Sequence, residues 1–358
     1  MKVPLLLPIV AFLFGFLSLF TPVQAQVNND LFQSSVPVLL DSGKTVQRME
    51  ILTYLRNTEY YHPIEQGQTW LGAQVRSEWN FGISPTTHAE LGVWWSNSFG
   101  STERSFRPLV AIVYKPLQWE WRMGTLQGGT QHRLIEPLYE ISRMAENPLE
   151  YGLQARRLGT YSFVDVWLEW QKAIQVGSPY KEVFQAGWVM EQSIRKSNLS
   201  LYAQGLWTHH GGQVDSAPDS VYQGNRLNGA LGWKYSGKIE AQMAWVGYAD
   251  PLSAYTSIQK GNGWMVHANG KWERSKKGTL RYGVTFWQGH RFLAPGGGQI
   301  YQSYNATLTH YEPKRSFFIP RITWDAQRYS LRFEPLIDPT FHTIDPVFSY
   351  YYRFQMIK

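Results

Sequence analysis

The sequence has no cysteine among its 358 residues and only 17% charged residues. After its first twenty positions it has no apolar run long enough to cross a bilayer as a helix. The first absence excludes a disulfide framework, a thiolate metal site and a cysteine nucleophile. The scarcity of charge, set beside 15% aromatic residues, excludes a disordered chain. The third absence excludes a helical membrane protein. It leaves a membrane β-barrel open, whose strands are short and only half apolar. Basic residues exceed acidic ones by 34 to 27, but they are dispersed, so no nucleic-acid partner is expected. The sequence also lacks a Gly-x-Ser-x-Gly elbow, a His-Glu-x-x-His helix and a phosphate-cradling glycine loop. His209-His210 looks like a metal pair, but neighbours on a strand point to opposite faces, so neither a metal nor a cofactor is expected.

What is present begins with a leader. Met1-Lys2 is followed by the apolar run Val3–Phe20, then Pro22 and the small-residue pattern Val23-Gln24-Ala25. This predicts a secretory signal peptide over residues 1–25, with a membrane anchor as the alternative.

The remainder alternates with a period of two, which places successive side chains on opposite faces of a sheet. In Gly263–Arg274, Trp264, Val266, Ala268 and Trp272 oppose Met265, His267, Asn269 and Lys271; in Thr279–Phe292, Leu280, Tyr282, Val284 and Phe286 oppose Arg281, Gly283, Thr285 and Trp287. Similar patterns begin near Thr69, His88, Arg107, Gln118, Glu150, Val164, Val183, Leu199, Arg226, Lys238, Tyr301, Arg315, Tyr329 and Phe348, separated by Pro, Gly and Lys-rich turns. The expectation is an all-β chain forming a closed antiparallel transmembrane β-barrel of about 16 strands, within a range of roughly 14 to 18. Residues 26–68 are expected to form an N-terminal periplasmic or lumenal segment and 69–358 the barrel. Long connections should follow odd-numbered strands if both ends are periplasmic. With these strands they follow even-numbered ones, which points to an unrecognised strand near Arg48–Tyr60 or a misread hairpin near Trp324–Tyr329.

Period alone does not say which face is inside, and a secreted protein of two sandwiches shows the same alternation. Aromatic residues at strand ends on the apolar face (Trp170, Trp188, Trp207, Trp233, Trp245, Trp264, Trp272, Trp324) favour lipid contact. On that reading the polar face lines a lumen: Arg76, Glu78, Glu120, Arg122, Asp165, Trp167, Glu169, Glu240, Lys271, Glu273, Arg281, Trp287, Arg321, Arg332, Glu334 and Arg353. The arginines could form a basic ladder, or the glutamates could neutralise them into a salt-bridged plug. Inward aromatics could stack on sugars or merely fill a narrow barrel. The long segment Gly128–Pro148 carries His132, Arg133, Glu136, Tyr139, Glu140 and Arg143 among apolar residues, and is expected to fold into the lumen as a constriction.

The closing strand Phe348-Ser-Tyr-Tyr-Tyr-Arg-Phe354 and the stretches Arg56–Gly72 and Leu134–Gln154 resemble bacterial outer-membrane β-barrels of the porin-like kind. Gln355-Met-Ile-Lys358 follow the last Phe, a departure from the aromatic terminus common in such barrels. The resemblance implies the bacterial outer membrane as location. It implies membrane lipid, lipopolysaccharide and the barrel-assembly machinery as partners.

The leading functional expectation is a channel for a small polar solute, such as an oligosaccharide or an anion, and not an enzyme. The alternatives are a non-conducting assembly or adhesion component, and a barrel enzyme acting on lipid or glycan. Such an enzyme would use Ser and His at the lipid-facing rim, where His310 is placed by its apparent strand.

Overall fold

The computed structural model describes residues 42–358 apart from 103, 213–223, 252–255, 257 and 274–277. The expected signal peptide lies outside the described residues. The chain forms one closed antiparallel sheet. Its strands are β1 (Thr45–Thr58), β2 (Gln68–Ser84), β3 (Thr87–Ser98), β4 (Arg104–Tyr114), β5 (Trp119–Thr125), β6 (Tyr151–Leu158), β7 (Ser162–Lys172), β8 (Glu182–Ser193) and β9 (Leu199–Gly211). There follow β10 (Gly224–Ser236), β11 (Ile239–Ala249), β12 (Lys260–Glu273), β13 (Thr279–His290), β14 (Lys314–Asp325), β15 (Tyr329–Phe333), β16 (Leu336–Asp338), β17 (Thr343–Asp345) and β18 (Val347–Ile357). From β1 to β15 each strand pairs with its sequence neighbours, β15 pairs with β18, and β1 closes on β18 from Arg48↔Ile357 to Thr58↔Val347. The short pair β16–β17 extends β15 and β18 beyond a break, so the wall is a 16-strand barrel.

The alternation inverts the usual burial order. Leu71, Val110, Ile112, Leu201, Leu231, Val284, Ile322 and Leu331 stand exposed, while Arg48, Glu78, Arg122, Asp165, Glu240 and Arg315 are buried. An aqueous protein would lose stability by such an arrangement. A barrel in lipid gains by it, because hydrocarbon meets the outer face and charges pair inside. Trp79, Trp119, Trp121 and Trp272 are exposed toward the short-turn end, and Trp170 and Trp207 toward the long-loop end, as headgroup-level girdles require.

Two local expectations are corrected. The barrel begins at Thr45, not at residue 69, because β1 is a full wall strand rather than part of a separate segment. The strand expected near Tyr301 is absent: Gln299–Tyr301 is a single 3₁₀ turn inside the long β13–β14 connection. The two changes cancel in the strand count. They also move the long connections to follow β5, β7, β9, β11 and β13, all odd, placing both ends of the sheet at the short-turn rim.

Candidate functional site

The lumen is packed. The β5–β6 connection (residues 126–150) and the β13–β14 connection (291–313) fold inward and meet each other. Leu134, Ile135, Leu138, Tyr139, Phe292, Leu293 and Tyr301 form one buried cluster with the wall residues Trp167, Tyr202, Val246, Trp287 and Phe317. Gly298 N–H donates to the Glu136 carbonyl, Glu140 N–H to the Gly296 carbonyl, and the Tyr301 hydroxyl to Glu136 Oε2 at 2.5 Å. Gly297 is required at this crossing, since a Cβ there would lie 1.9 Å from the Pro137 carbonyl oxygen. The glycine run is thus a contact between two loops as well as a turn.

The lumen-facing charges pair rather than form a basic ladder. Arg48 meets Glu78 at 3.2 Å and Glu50 at 3.1 Å; Arg76 meets Glu78 at 2.8 Å; Arg353 meets Glu50 at 2.9 Å. Arg122 holds Glu90 at 2.5 Å and Glu120 at 3.4 Å. Arg321 bridges Glu136 of the loop at 2.7 Å and Glu334 at 3.0 Å, and Arg281 meets Asp325 at 3.1 Å. Arg332 lies over the Tyr351 ring, Glu169 is 3.9 Å from Arg143, and Glu240 and Trp287 are buried in the wall. Lys271 pairs with Glu273, whose side chain is 66% exposed at the short-turn end of β12.

His132 anchors the β5–β6 connection. Its Nδ1 lies 2.9 Å from Asp165 Oδ2 and its Nε2 2.7 Å from Glu150 Oε2. Carboxylates only accept, so both ring nitrogens donate and the ring is an imidazolium. Burial opposes that charge, but Glu150 and Asp165 outweigh it and hold the pKa up to about 9. Trp167 stacks on the ring at 3.7 Å, Gln154 and Arg156 complete the Asp165 shell, and Gly129 N–H donates to Glu150. Arg133 lies over Phe163 at 3.9 Å and 3.8 Å from Glu191.

Several cavities flank this loop. One is lined by Glu50, Gln74, Arg76, Trp94, Gln131 and Leu149. Another lies on the side of Arg56, Glu65, Glu140, Tyr301, Arg332 and Glu334. Burial and the neighbouring Glu140 push the Glu65 carboxyl up to about 8.

A different kind of site stands on the lipid-facing side of the long-loop end, across β7 to β10. Trp170, Glu182, Phe184, Trp207, His209 and Asn225 all fall on the outward parity of their strands. Asn225 is the direct cross-strand partner of His209, and Phe184 is its partner on the other side. Asn225 Oδ1 lies 2.8 Å from both Trp207 Nε1 and His209 Nδ1. An indole N–H can only donate, so the amide atom is the carbonyl oxygen, and His209 Nδ1 must donate to it as well. In the neutral ring this tautomer leaves the lone pair on Nε2 of His209. The ring is half-buried against Phe184 at 4.7 Å, and the Trp170 indole donates to Glu182 at 3.0 Å. His310 is not at the lipid face: it sits in the β13–β14 connection, where its N–H donates to Asn305 Oδ1 and its ring tilts against Phe341 at 5.9 Å. The His209–Asn225 pairing is invisible without strand register, since the two residues flank a long connection. The only sequence signal was a histidine beside tryptophan on an outward parity.

Fold and rim chemistry together define an outer-membrane β-barrel with an ordered histidine at its lipid interface. Solved structures share that fold. The loop-deletion form of OmpT from Vibrio cholerae is 10% identical, with 88% of this chain and all of that one covered at a TM-score of 0.56. OprD of Pseudomonas aeruginosa is 9% identical (89% and 97% covered, TM-score 0.52), as is OmpF of Salmonella typhi in complex with daunomycin (88% and 98%, 0.51). A comparison with curated proteins gives no significant match. The family model described as lipid A 3'-O-deacylase-type matches residues 40–357, and the chain belongs to that family. This overturns the expectation of a non-enzymatic barrel, because the family is one of enzymes.

Proposed function

We propose that this barrel hydrolyses an ester-linked acyl chain of a lipid A-type glycolipid at the outer-leaflet surface, with His209 as general base. The observation that carries the reading is the His209–Asn225–Trp207 arrangement, in which a neutral amide fixes the tautomer and leaves Nε2 available. A base held by a third group is the recurrent geometry of acyl-transfer sites. Among the described residues no serine or threonine hydroxyl is hydrogen-bonded to the His209 ring, so the nucleophile in this reading is water. Nε2 takes a proton from water as the oxygen adds to the ester carbonyl. The tetrahedral adduct then expels the sugar oxygen, which receives the proton back from the imidazolium. The products are a fatty acid and the glycolipid short of one acyl chain. The packed lumen weighs against the channel reading, since the two infolded connections and the paired charges occupy the path a solute would take.

The test is fatty-acid release from lipid A by the detergent-purified protein. Release by the native chain, with a fall of roughly 10²- to 10⁴-fold in His209→Ala, supports the reading. Full release by His209→Ala removes the base, and discrete conductance steps in a planar bilayer without any release restore the channel.

A further inference from the structure

The lipid-facing patch around His209 continues toward the rim. On β8, Glu182 and Phe184 share the outward face, and their cross-strand partners on β9 are Gly211 and His209. Glu182 therefore stands one outward position, roughly 7 Å, nearer the long-loop rim than His209. Its carboxylate accepts the Trp170 indole N–H at 3.0 Å. The Trp170 ring centroid lies 6.2 Å from that of Phe184, which in turn lies 4.7 Å from His209 and 5.2 Å from Trp207. These contacts join a carboxylate, three aromatic rings and the histidine into one continuous surface.

A bulge in β7 shapes the outer end of that surface. The register runs through Glu169↔Gln185 and Trp170↔Phe184, then slips, so that Lys172 stands opposite Val183. In an unbroken ladder Lys172 would stand opposite Glu182 on the same outward face. With the extra residue the Lys172 ammonium lies 5.9 Å from the Tyr180 ring, and the Glu182 carboxylate is held by a neutral indole. Both tryptophans of the patch donate their N–H to a side chain, Trp170 to Glu182 and Trp207 to Asn225. A tryptophan that only anchors a barrel offers that N–H to the headgroup layer. Here the two rings are fixed in place.

An amphiphile standing against the wall meets these groups in a set order. Below His209, Trp207, Leu227 and Leu201 are exposed to hydrocarbon, at the level of an acyl chain. His209 and Asn225 come next, at the level of the ester. Glu182, Phe184 and Trp170 lie rimward of it, at the level of the headgroup. Aromatic rings with a carboxylate at their edge suit a pyranose, whose C–H face lies on the rings while a hydroxyl donates to the carboxylate. The rings stand side by side on one face of the sheet, an open floor for a flat sugar and not a cage around a cation. We propose that Trp170, Glu182 and Phe184 form the subsite for the sugar ring next to the cleaved ester, with Glu182 accepting a hydrogen bond from a sugar hydroxyl. This deepens the hydrolase reading above and rests on it for the ester.

The test mixes the detergent-purified barrel with the fully deacylated lipid A disaccharide and records saturation transfer from protein to ligand by NMR. The expected result is transfer to the pyranose protons by the native chain that falls at least about tenfold in Glu182→Ala and is kept in part by Glu182→Gln, whose amide oxygen still accepts. Trp170→Phe keeps a ring and loses only the N–H, so its loss should be smaller. With lipid A in mixed micelles, Glu182→Ala should raise KM about tenfold and change kcat far less, because the contact is made before and during bond breaking alike. A merely structural role would lower kcat instead. Equal transfer to the native chain and Glu182→Ala, an unchanged KM, or stronger transfer to phosphocholine than to the disaccharide would overturn the proposal. Transfer without fatty-acid release by the native protein would sink the hydrolase reading alone, and release without transfer would sink the sugar subsite alone.

Discussion

Two histidines in this barrel show how setting decides role. His132 has a carboxylate on each ring nitrogen, is buried, and stacks on Trp167. Both its protons are committed, so it can fasten the β5–β6 connection but can neither give nor take a proton cheaply. His209 has one nitrogen held by a neutral amide, which in the neutral ring leaves the lone pair on the other, at the lipid interface. The first is a latch of the fold and the second is, in the function proposed above, the base. Counting histidines in the sequence does not separate them. Counting the partners on each nitrogen does.

The comparison can be broken in graded ways. The largest effect expected is on activity: His209→Ala should lower acyl release by roughly 10²- to 10⁴-fold while leaving the unfolding midpoint within the range of a surface change. Next comes His132→Ala, which strands two buried carboxylates and should cost about 3–5 kcal/mol of stability in denaturant titration, with activity per folded molecule nearly unchanged. A variant that lost activity and kept its stability would reverse the two roles.

The latch also has a pH signature. The folded pKa of His132 is raised from 6.5 to about 9, so its contribution is complete below about pH 6.5 and fades as the pH rises through 9. Glu150 is depressed to about 2, burial being outweighed by His132, so its share is present above about pH 4.5 and is lost as the pH falls toward 2. Denaturation midpoints across pH should therefore plateau between these limits and drop on both sides, and His132→Gln should flatten the alkaline drop. A smaller effect is expected for Gly297→Ala, which forces Pro137 and its loop aside at about 1–3 kcal/mol. The smallest is Trp207→Phe: losing one donor to Asn225 should slow acyl release by only about tenfold or less, without altering the latch.

Much of the wall was legible because a lipid-facing strand exposes one face to hydrocarbon and one to paired charges, which writes a period of two. β1 was legible only through the parity of the long connections, which pointed to an unrecognised strand near Arg48–Tyr60, and its alternation is blurred for a physical reason. Its inward Leu52 and Tyr54 pack on the infolded loop, placing apolar residues on both faces (Ile51-Leu52, Tyr54-Leu55) and blurring the alternation. The segment around Tyr301 erred the other way: its buried Tyr301 and Ser303 mimic a strand face, but they belong to a turn pressed into the lumen. The His132 region was readable as an infolding element from its length and its mixed charges. The rim site was not, since Asn225 reaches His209 only through the β9–β10 register.

The most direct measurement compares fatty-acid release from lipid A for the native chain, His132→Ala and His209→Ala, each normalised to folded barrel. The account predicts near-native turnover per folded molecule for the first variant and almost none for the second. Turnover that survives in His209→Ala, or vanishes in a fully folded His132→Ala, would contradict it.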